Sequence, residues 1–81
     1  METTEKIREE IYQAFRKMKE QDFVGAEALL REGLGQAELE GNKLQQGLFC
    51  STFGVLYKMK GESREAWRYY ERAEKLIPED P

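Results

Sequence analysis

Apolar residues recur at helical spacing along most of the chain, and three short breaks interrupt them. A repeat of about 3.6 residues marks a helix with one buried face, so this pattern limits the possible folds more than any other feature. The first helix is expected to begin near Thr3 or Thr4, either of which can act as an N-cap, and to end near Gln21. Its apolar stripe consists of Ile7, Ile11, Ala14, Phe15 and Met18. The pattern predicts an all-α chain of four helices.

The first two breaks carry residues that typically begin and end helices. Asp22 is placed to cap the second helix, and Gly41 stands where a left-handed glycine would end it. Asn42 is expected to cap the third helix, as part of a capping box in which Gln45 reaches back to the cap. Both breaks are short, which predicts that consecutive helices are neighbours in space.

The third break and the fourth helix follow the same pattern. Gly61 is expected to end the third helix, Glu62 or Ser63 to cap the fourth, and Pro78 to stop it. The expected inward face of the fourth helix consists of Ala66, Tyr70, Ala73 and Ile77.

The two middle helices have unusual compositions. Helix two contains Gly25, Gly33 and Gly35, and each glycine costs a helix about 1 kcal/mol relative to alanine. Their presence predicts either close packing against another helix or a weak helix. Helix three is apolar on more than one face, which predicts that it lies between two neighbours.

The chain is close to an internal duplication with an offset of 40 residues. The corresponding pairs are Ala14 and Gly54, Asp22 and Glu62, Ala26 and Ala66, Leu30 and Tyr70, Gly33 and Ala73, and Ala37 and Ile77. Repeated helix pairs of this length are typical of an α-solenoid.

The second half carries small and aromatic residues at fixed spacing, namely Cys50-x2-Phe53-Gly54-x2-Tyr57, then Ala66-x3-Tyr70, Ala73 and Pro78. With these residues, positions 47–80 resemble the tetratricopeptide repeat (TPR) family over about 34 residues. Cys50 stands where the family usually has Trp, and Phe53 where it has Leu. The resemblance implies one domain, residues 1–81, built of four antiparallel helices as two TPR-like helical hairpins. These would form a short right-handed α-solenoid, with repeat one at about 4–41 and repeat two at about 42–78.

The first helix of repeat one fits this pattern in two registers. The strict offset places Glu10, Gln13, Ala14 and Lys17 at the core positions, which are too polar for a core. Sliding by one residue places the apolar stripe there instead, with Phe15 where glycine usually sits and a turn shorter by one residue. Because burying apolar surface stabilises the fold, the slid register is favoured over the strict one.

Several classes of function are excluded or disfavoured by composition. The chain has no histidine and one cysteine, Cys50, which excludes histidine-dependent catalysis, an intrachain disulfide and a cysteine-based zinc site. The formal net charge of −3 argues against a general nucleic-acid binder. No apolar run approaches the ~20 residues of a membrane helix, and the polar segment 1–5 is unlike a signal peptide. These observations predict a cytoplasmic protein without membrane insertion.

Carboxylates are plentiful, but they are expected to be solvated. The pairs that could be proposed for acid–base chemistry are Glu9 and Glu10, Glu38 and Glu40, and Glu71 and Glu74. All lie on predicted polar helix faces beside Lys and Arg, where i,i+4 ion pairs are the ordinary role. No glycine-rich phosphate loop is present. The chain is therefore predicted not to be an enzyme, and no cofactor or metal is expected.

The TPR resemblance implies a binding surface on the concave side, lined by the first helix of each repeat. The residues that it implicates in repeat two are Leu48, Ser51, Val55, Lys58 and Met59. In repeat one they are Tyr12, Arg16 and Lys19 in the slid register, or Ile11, Phe15 and Met18 in the strict register. The first set makes a mixed apolar and basic surface suited to an acidic or C-terminal peptide, whereas the second makes an apolar one. The groove lacks the Lys, Asn and Arg set with which carboxylate-clamp TPR proteins bind chaperone tails.

Two further side chains have both a functional and a structural interpretation. Cys50 is expected to be a small buried apolar residue rather than a reactive thiol. Trp67 lies one position off the inward face of helix four. It is either an anchor for a partner or half-buried between helices.

The sequence thus predicts a non-catalytic protein–protein interaction module that binds a peptide or protein segment on its concave face. Two repeats are few for a continuous core, which predicts self-association, as a homodimer. One alternative is a purely structural homo-oligomerisation unit. Another is an MIT-like module of three helices that binds helical tails, which would require one unbroken helix from residue 43 to 77.

Overall fold

The computed structural model describes the backbone of residues 2–77 and the side chains of residues 5–77. Within this range the chain is all-α, with four helices and no strand: α1 (Glu2–Lys19), α2 (Phe23–Leu39), α3 (Lys43–Met59) and α4 (Ser63–Leu76). Because α1 already includes Glu2, the expected N-caps Thr3 and Thr4 lie inside the helix. The expected stop at Pro78 lies outside the described residues, but α4 ends just before it, with Ile77 in extended backbone.

The predicted caps are present at α2 and α3. The Asp22 carboxylate accepts a hydrogen bond from the Gly25 N–H at 2.9 Å, and the Asn42 side-chain oxygen accepts one from the Gln45 N–H at 3.0 Å. Each bond satisfies one of the backbone donors left free in a first helical turn. At α4 the N-cap is Glu62, whose side chain makes no capping bond.

The α1–α2 turn and the α3–α4 turn have the same length and the same hydrogen bonds, 40 residues apart. Gln21 (φ 63°) and Gly61 (φ 80°) both adopt left-handed backbone, and each N–H donates to the carbonyl three residues earlier, at 2.9 and 3.0 Å. The next residues, Asp22 and Glu62, each donate to the carbonyl five residues earlier, at 2.8 Å. The expectation that the first turn is shorter by one residue is therefore wrong.

α3 packs against all three other helices, whereas α1 packs against α2 and α3. Gly47, near the start of α3, lies beside Ile77, and Gly54 in the middle of α3 lies beside the ring of Tyr70. The order of these contacts means that α3 and α4 run in opposite directions. The prediction that helix three lies between neighbours is confirmed.

The interface between α2 and α3 is equally close. A Cβ added to Gly33 would overlap the ring of Phe49, so the absence of a side chain allows this approach. The Gln46 side-chain amide donates to the Ala37 carbonyl at 3.3 Å. Close packing therefore explains Gly33, whereas an added Cβ at Gly35 would meet no atom within 4 Å.

The core is centred on α3. The largest fully buried side chains are those of Met18, Leu30, Phe49, Cys50, Phe53 and Leu56. In α1, Ile7, Ala14 and Met18 are buried and Ile11 is half-buried, which confirms most of the predicted stripe. Phe15 is the exception, since 37% of it is exposed.

α1 thus combines features of both registers. The turn after α1 has the length that the strict offset of 40 residues requires, so Ala14 corresponds to Gly54 in the duplication. The slid register is therefore wrong for the backbone. The strict-register positions Glu10, Gln13 and Lys17 are half-buried rather than part of a full core.

Candidate binding groove

A groove lies between α1 and α3, the two helices predicted to line the binding surface. It contains a cavity of about 390 Å³. Its lining residues are Ile7, Arg8 and Ile11 from α1, and Asn42, Leu44, Gln45 and Leu48 from the start of α3. The cavity is large enough to receive one or two apolar side chains of a partner, and its wall is mainly aliphatic.

The apolar surface continues along the same faces of both helices beyond the cavity. One turn after Ile11, α1 presents Phe15, and two and three turns after Leu48, α3 presents Val55 and Met59. Leu44 remains 53% exposed at the other end of the groove. Phe15, Leu44, Leu48 and Met59 are exposed and Val55 is half-buried, and apolar side chains exposed close to one another are typical of interaction surfaces.

One cation, Arg8, lines the cavity. Three more, Arg16, Lys19 and Lys58, are exposed on the same two helices, in the last turns of α1 and α3. Among residues 5–77 none of the four has a carboxylate within 4.0 Å. The two helices that form the groove thus carry exposed cations without an ion-pair partner in the described part of the chain.

Of the predicted site residues, Leu48 lines the cavity. Phe15 and Met59 are exposed farther along α1 and α3, and Ser51 and Val55 of α3 are half-buried. Tyr12 lies on the outer side of α1, where it lines a shallow depression with Glu5, Arg8 and Glu9. Of the α1 residues proposed for the two registers, the basic set is exposed, whereas in the apolar set only Phe15 is exposed, because Ile11 is half-buried and Met18 is fully buried in the core.

Trp67 lies apart from this groove. It is on α4, which has no backbone contact with α1 within residues 2–77, and 65% of it is exposed. The expectation that Trp67 is half-buried between helices is wrong, because none of the four described helices covers that side of α4.

An aromatic cluster on the opposite side of α3 was not predicted as a unit. Tyr69 stacks on Phe53, with ring centroids 4.8 Å apart, and on Tyr57, at 5.5 Å. Arg72 lies over the Tyr69 ring and Lys60 over the Tyr57 ring, at 5.5 and 5.1 Å from the centroids. Tyr69 directly precedes Tyr70, which was predicted to face inward on α4. This position beside the buried face is the sequence feature that could have indicated the cluster.

A hydrogen-bond network joins this cluster to α2. The Tyr57 hydroxyl donates to the Glu27 carboxylate at 3.1 Å, and the Arg31 guanidinium bonds the same carboxylate oxygen. The hydrogen bond from Arg31, and secondarily that from Tyr57, lowers the pKa of Glu27 against the opposing effect of burial. Burial, reinforced by the bond to Glu27, raises the pKa of Tyr57 to about 12. Hydrogen bonding and burial within a structural network that joins α2 to α3 thus explain both pKa shifts.

Cys50 is fully buried in α3, as predicted, and burial raises the pKa of its thiol. A thiol in this environment is mostly protonated and is a poor nucleophile. Residues 5–77 contain no group of three or more acidic or cysteine side chains placed to hold a metal ion. Among the helices described, none is long and apolar enough to cross a membrane.

The carboxylate pairs singled out in the sequence lie on the surface. Glu9 accepts a hydrogen bond from Gln13, and Glu40 accepts one from Gln36, each from four residues away on the same helix. Glu38 lies 3.9 Å from Arg72 of α4. Each of these three carboxylates thus has a local structural partner.

Comparisons with known proteins add no relative to this description. No family model matches the sequence, and no significant match was found among curated proteins or solved structures.

Proposed function

We propose that the protein is a non-catalytic interaction module that binds an amphipathic peptide or protein segment in the groove between α1 and α3. The observation that carries this proposal is the aliphatic cavity of about 390 Å³ between Ile11 and Leu48, continued by exposed apolar side chains along both helices. A groove of this kind gains binding free energy by burying apolar side chains of a ligand.

We further propose that the four helices form two TPR-like hairpins stacked as a short solenoid. The support comes from three turns with the same hydrogen bonds, spaced 20 residues apart, and from the small residues Ala14 and Gly54, which are 40 residues apart. The order of packing agrees with this arrangement within residues 2–77, because the α2 backbone lies against both α1 and α3, whereas the α4 backbone lies against α3 alone. The single buried cysteine supports a reducing compartment, the cytoplasm.

The charges on the two groove helices favour an acidic partner. Arg8 lines the cavity, and Arg16, Lys19 and Lys58 are exposed on α1 and α3; none has a carboxylate partner among the described side chains, although the chain carries a net charge of −3. Unpaired cations on the helices that form an apolar groove raise the association rate of an acidic ligand and select against a basic one. The proposed ligand is therefore a segment with an apolar face and acidic flanks.

The two alternatives differ in what occupies the groove. In a purely structural homo-oligomer, the same apolar surface would be covered by another copy of the chain. The MIT-like alternative requires an unbroken helix from residue 43 to 77, and the left-handed Gly61 between α3 and α4 counts against it.

A peptide selection tests the groove directly. A displayed library of random 16-residue peptides would be selected against the purified protein, and the binding of enriched peptides measured by fluorescence anisotropy. Leu48→Asp places a charge in the cavity wall and is expected to weaken binding at least about tenfold. Leu39→Asp is the matched control, because Leu39 is an exposed leucine on α2 outside the groove.

The outcome also distinguishes the partner's charge. Enriched peptides are expected to carry Asp or Glu beside apolar residues, and their affinity is expected to fall as salt is raised. Equal loss of binding in the Leu48→Asp and Leu39→Asp variants would contradict the groove as the binding site. A selection without enriched peptides would favour the structural homo-oligomer.

A further inference from the structure

The side of α4 that carries Trp67 has no neighbour among the described residues. Ala66 and Ala73 point into the core, while Tyr69 and Arg72 lie on the side of α2, where Arg72 approaches Glu38. With a rotation of about 100° per residue, Trp67 lies a quarter turn from Ala66 in the direction away from α2.

The internal duplication shows what would normally cover this side. Forty residues earlier in α2, Glu27 occupies the position of Trp67, and its carboxylate lies against the Tyr57 hydroxyl of α3. α3 therefore packs on the side of α2 that corresponds to the Trp67 side of α4. Trp67 stands where one more helix would pack, and it is the largest side chain left exposed in residues 5–77.

The charges on this side of α4 change sign along the helix. On this side Arg64 lies in the first turn, and Glu71 and Glu74 lie in the C-terminal half, with Lys75 at the edge, whereas Arg68 lines a depression with Tyr69 and Arg72 on the side of α2. Neither Arg64 nor either glutamate takes part in an ion pair among the described side chains. A helix face with opposite charges at its two ends is complementary to itself when two copies pair in opposite directions.

We propose that α4 packs against α4 of a second copy across a two-fold axis, with Trp67 of both copies as central anchors. In this pairing Arg64 faces Glu74 of the second copy. The two-fold axis makes this contact twice, once at each end of the helix pair. Trp and Arg are the residues that most often dominate binding at protein interfaces. The groove between α1 and α3 stays open in this dimer, so the inference does not depend on the proposed peptide binding.

The expected dimer is weak. A 14-residue helix is about 21 Å long, and a single pair of such helices covers less area than a standard stable interface. We therefore expect a dissociation constant on the order of micromolar, with dimers that dissociate on dilution.

A charge-swap experiment tests both the surface and the direction of pairing. Arg64→Glu and Glu74→Arg would each place like charges opposite one another and weaken the dimer at least about tenfold, as measured by sedimentation velocity. Mixing the R64E and E74R chains in equal amounts restores opposite charges at both contacts, so the mixture is expected to dimerise better than either chain alone. Circular dichroism would verify that both variants are folded, so a failure to fold cannot mimic the result.

Trp67 supplies an independent signal because it is the single tryptophan in the chain. Its emission is expected to shift to shorter wavelength as the concentration of the unmodified protein is raised, and this shift should be absent from R64E. Trp67→Ala is expected to weaken the dimer about 30-fold, whereas Leu39→Ala, an exposed control on α2, leaves it unchanged.

Three results would contradict the α4 dimer. The first is a monomer at every concentration up to the millimolar range. The second is a dimer that resists both charge reversals. The third is a mixture of R64E and E74R no better than the single variants. A dimer disrupted by Leu48→Asp but not by Trp67→Ala would assign self-association to the groove instead.

Discussion

α1 and α3 occupy corresponding places in the two halves of the chain, yet they bury different residues. Three positions illustrate the difference: Glu10, Gln13 and Lys17 in α1 correspond to Cys50, Phe53 and Tyr57 in α3. The former are half-buried and the latter buried. The turns that follow the two helices have the same length and the same hydrogen bonds, so backbone geometry is not the cause.

The cause is the number of neighbours. α3 packs between α2 and α4, so its sides toward both helices are covered, whereas α1 has no helix on its outer side within residues 2–77. The polar residues of α1 thus occupy positions that would be core in a middle helix. A repeated backbone does not require a repeated core, because an end helix must be compatible with water on one side.

The largest expected contrast is between the effects on stability of substituting Phe53 in α3 and its counterpart Gln13 in α1. Phe53→Ala removes a ring that is 1% exposed and is expected to lower the free energy of unfolding by about 3–5 kcal/mol, enough to unfold much of a domain of this size. Gln13→Ala is expected to change it by less than about 0.5 kcal/mol. Urea denaturation followed by circular dichroism measures both, and similar losses would show that α1 and α3 are equally central.

The next contrast concerns the pairs Gly54–Tyr70 and Ala14–Leu30. A Cβ at Gly54 would lie 2.5 Å from the Tyr70 ring, so Gly54→Ala is expected to be destabilising by about 1–2 kcal/mol despite its better helix propensity. The double variant Gly54→Ala/Tyr70→Leu reproduces the residue types of the first half. It should lose about 1 kcal/mol less than the sum of the single variants. Additive losses would mean that the methyl group and the ring do not compete for space.

The third contrast concerns how the free energy of unfolding depends on pH. Tyr57 in α3 adds such a dependence at alkaline pH, and its counterpart in α1 is Lys17. The folded-state pKa of Tyr57, about 12, lies above the ordinary value of 10. The stability that the protonated Tyr57 hydroxyl contributes is therefore complete below pH 10 and is lost as the pH rises from 10 to 12. Tyr57→Phe is expected to cost about 1–2 kcal/mol at pH 7, by removing the bond to Glu27, and to flatten the alkaline decline.

Urea titrations of the unmodified protein and the Tyr57→Phe variant at pH 7, 10 and 11.5 would separate the two effects. Lysines also titrate in this range, but they are common to both chains. A parallel alkaline decline in the two proteins would show that Tyr57 is not its source.

The smallest contrast lies in the turns. Gln21 adopts the left-handed backbone for which Gly61 is better suited, since a side chain at positive φ is strained. Gln21→Gly is expected to raise the free energy of unfolding by about 0.5–1 kcal/mol, after allowing for the greater flexibility of unfolded glycine. Gly61→Gln should lower it by a similar amount. A shift in the melting temperature of the opposite sign for either variant would contradict this account.

The four helices and most of their ends were predictable from local sequence; the start of α1 was not, because the expected caps Thr3 and Thr4 lie inside that helix. Asp22 and Asn42 cap the helices that follow them, and Gly41 and Gly61 adopt the left-handed backbone expected of them. These features depend on residues within one helical turn, so a single sequence contains the relevant information. The groove side chains of α3 were predictable for the same reason, because helical spacing alone places Leu48, Val55 and Met59 on nearby faces.

The features that depend on neighbouring helices were not predictable in this way. The slid register assumed that apolar residues must occupy the repeat's core positions, whereas the outer side of α1 has no helix to cover it. The exposure of Trp67 has a related cause, since periodicity gives the direction of a side chain but not whether another helix lies there. The stacking of Tyr69 on Phe53 and Tyr57 likewise depends on how α4 is positioned relative to α3.

Because Cys50 is buried, the rate at which its thiol reacts with a reagent reports how often the core opens. Its thiol sits in the helix that contacts every other helix, so a thiol reagent can reach it only after α3 has separated from its neighbours. When reclosing is faster than the chemical step, the labelling rate reports the equilibrium between closed and open forms. The unmodified chain therefore allows the opening of its own centre to be followed in real time under native conditions, without an engineered probe.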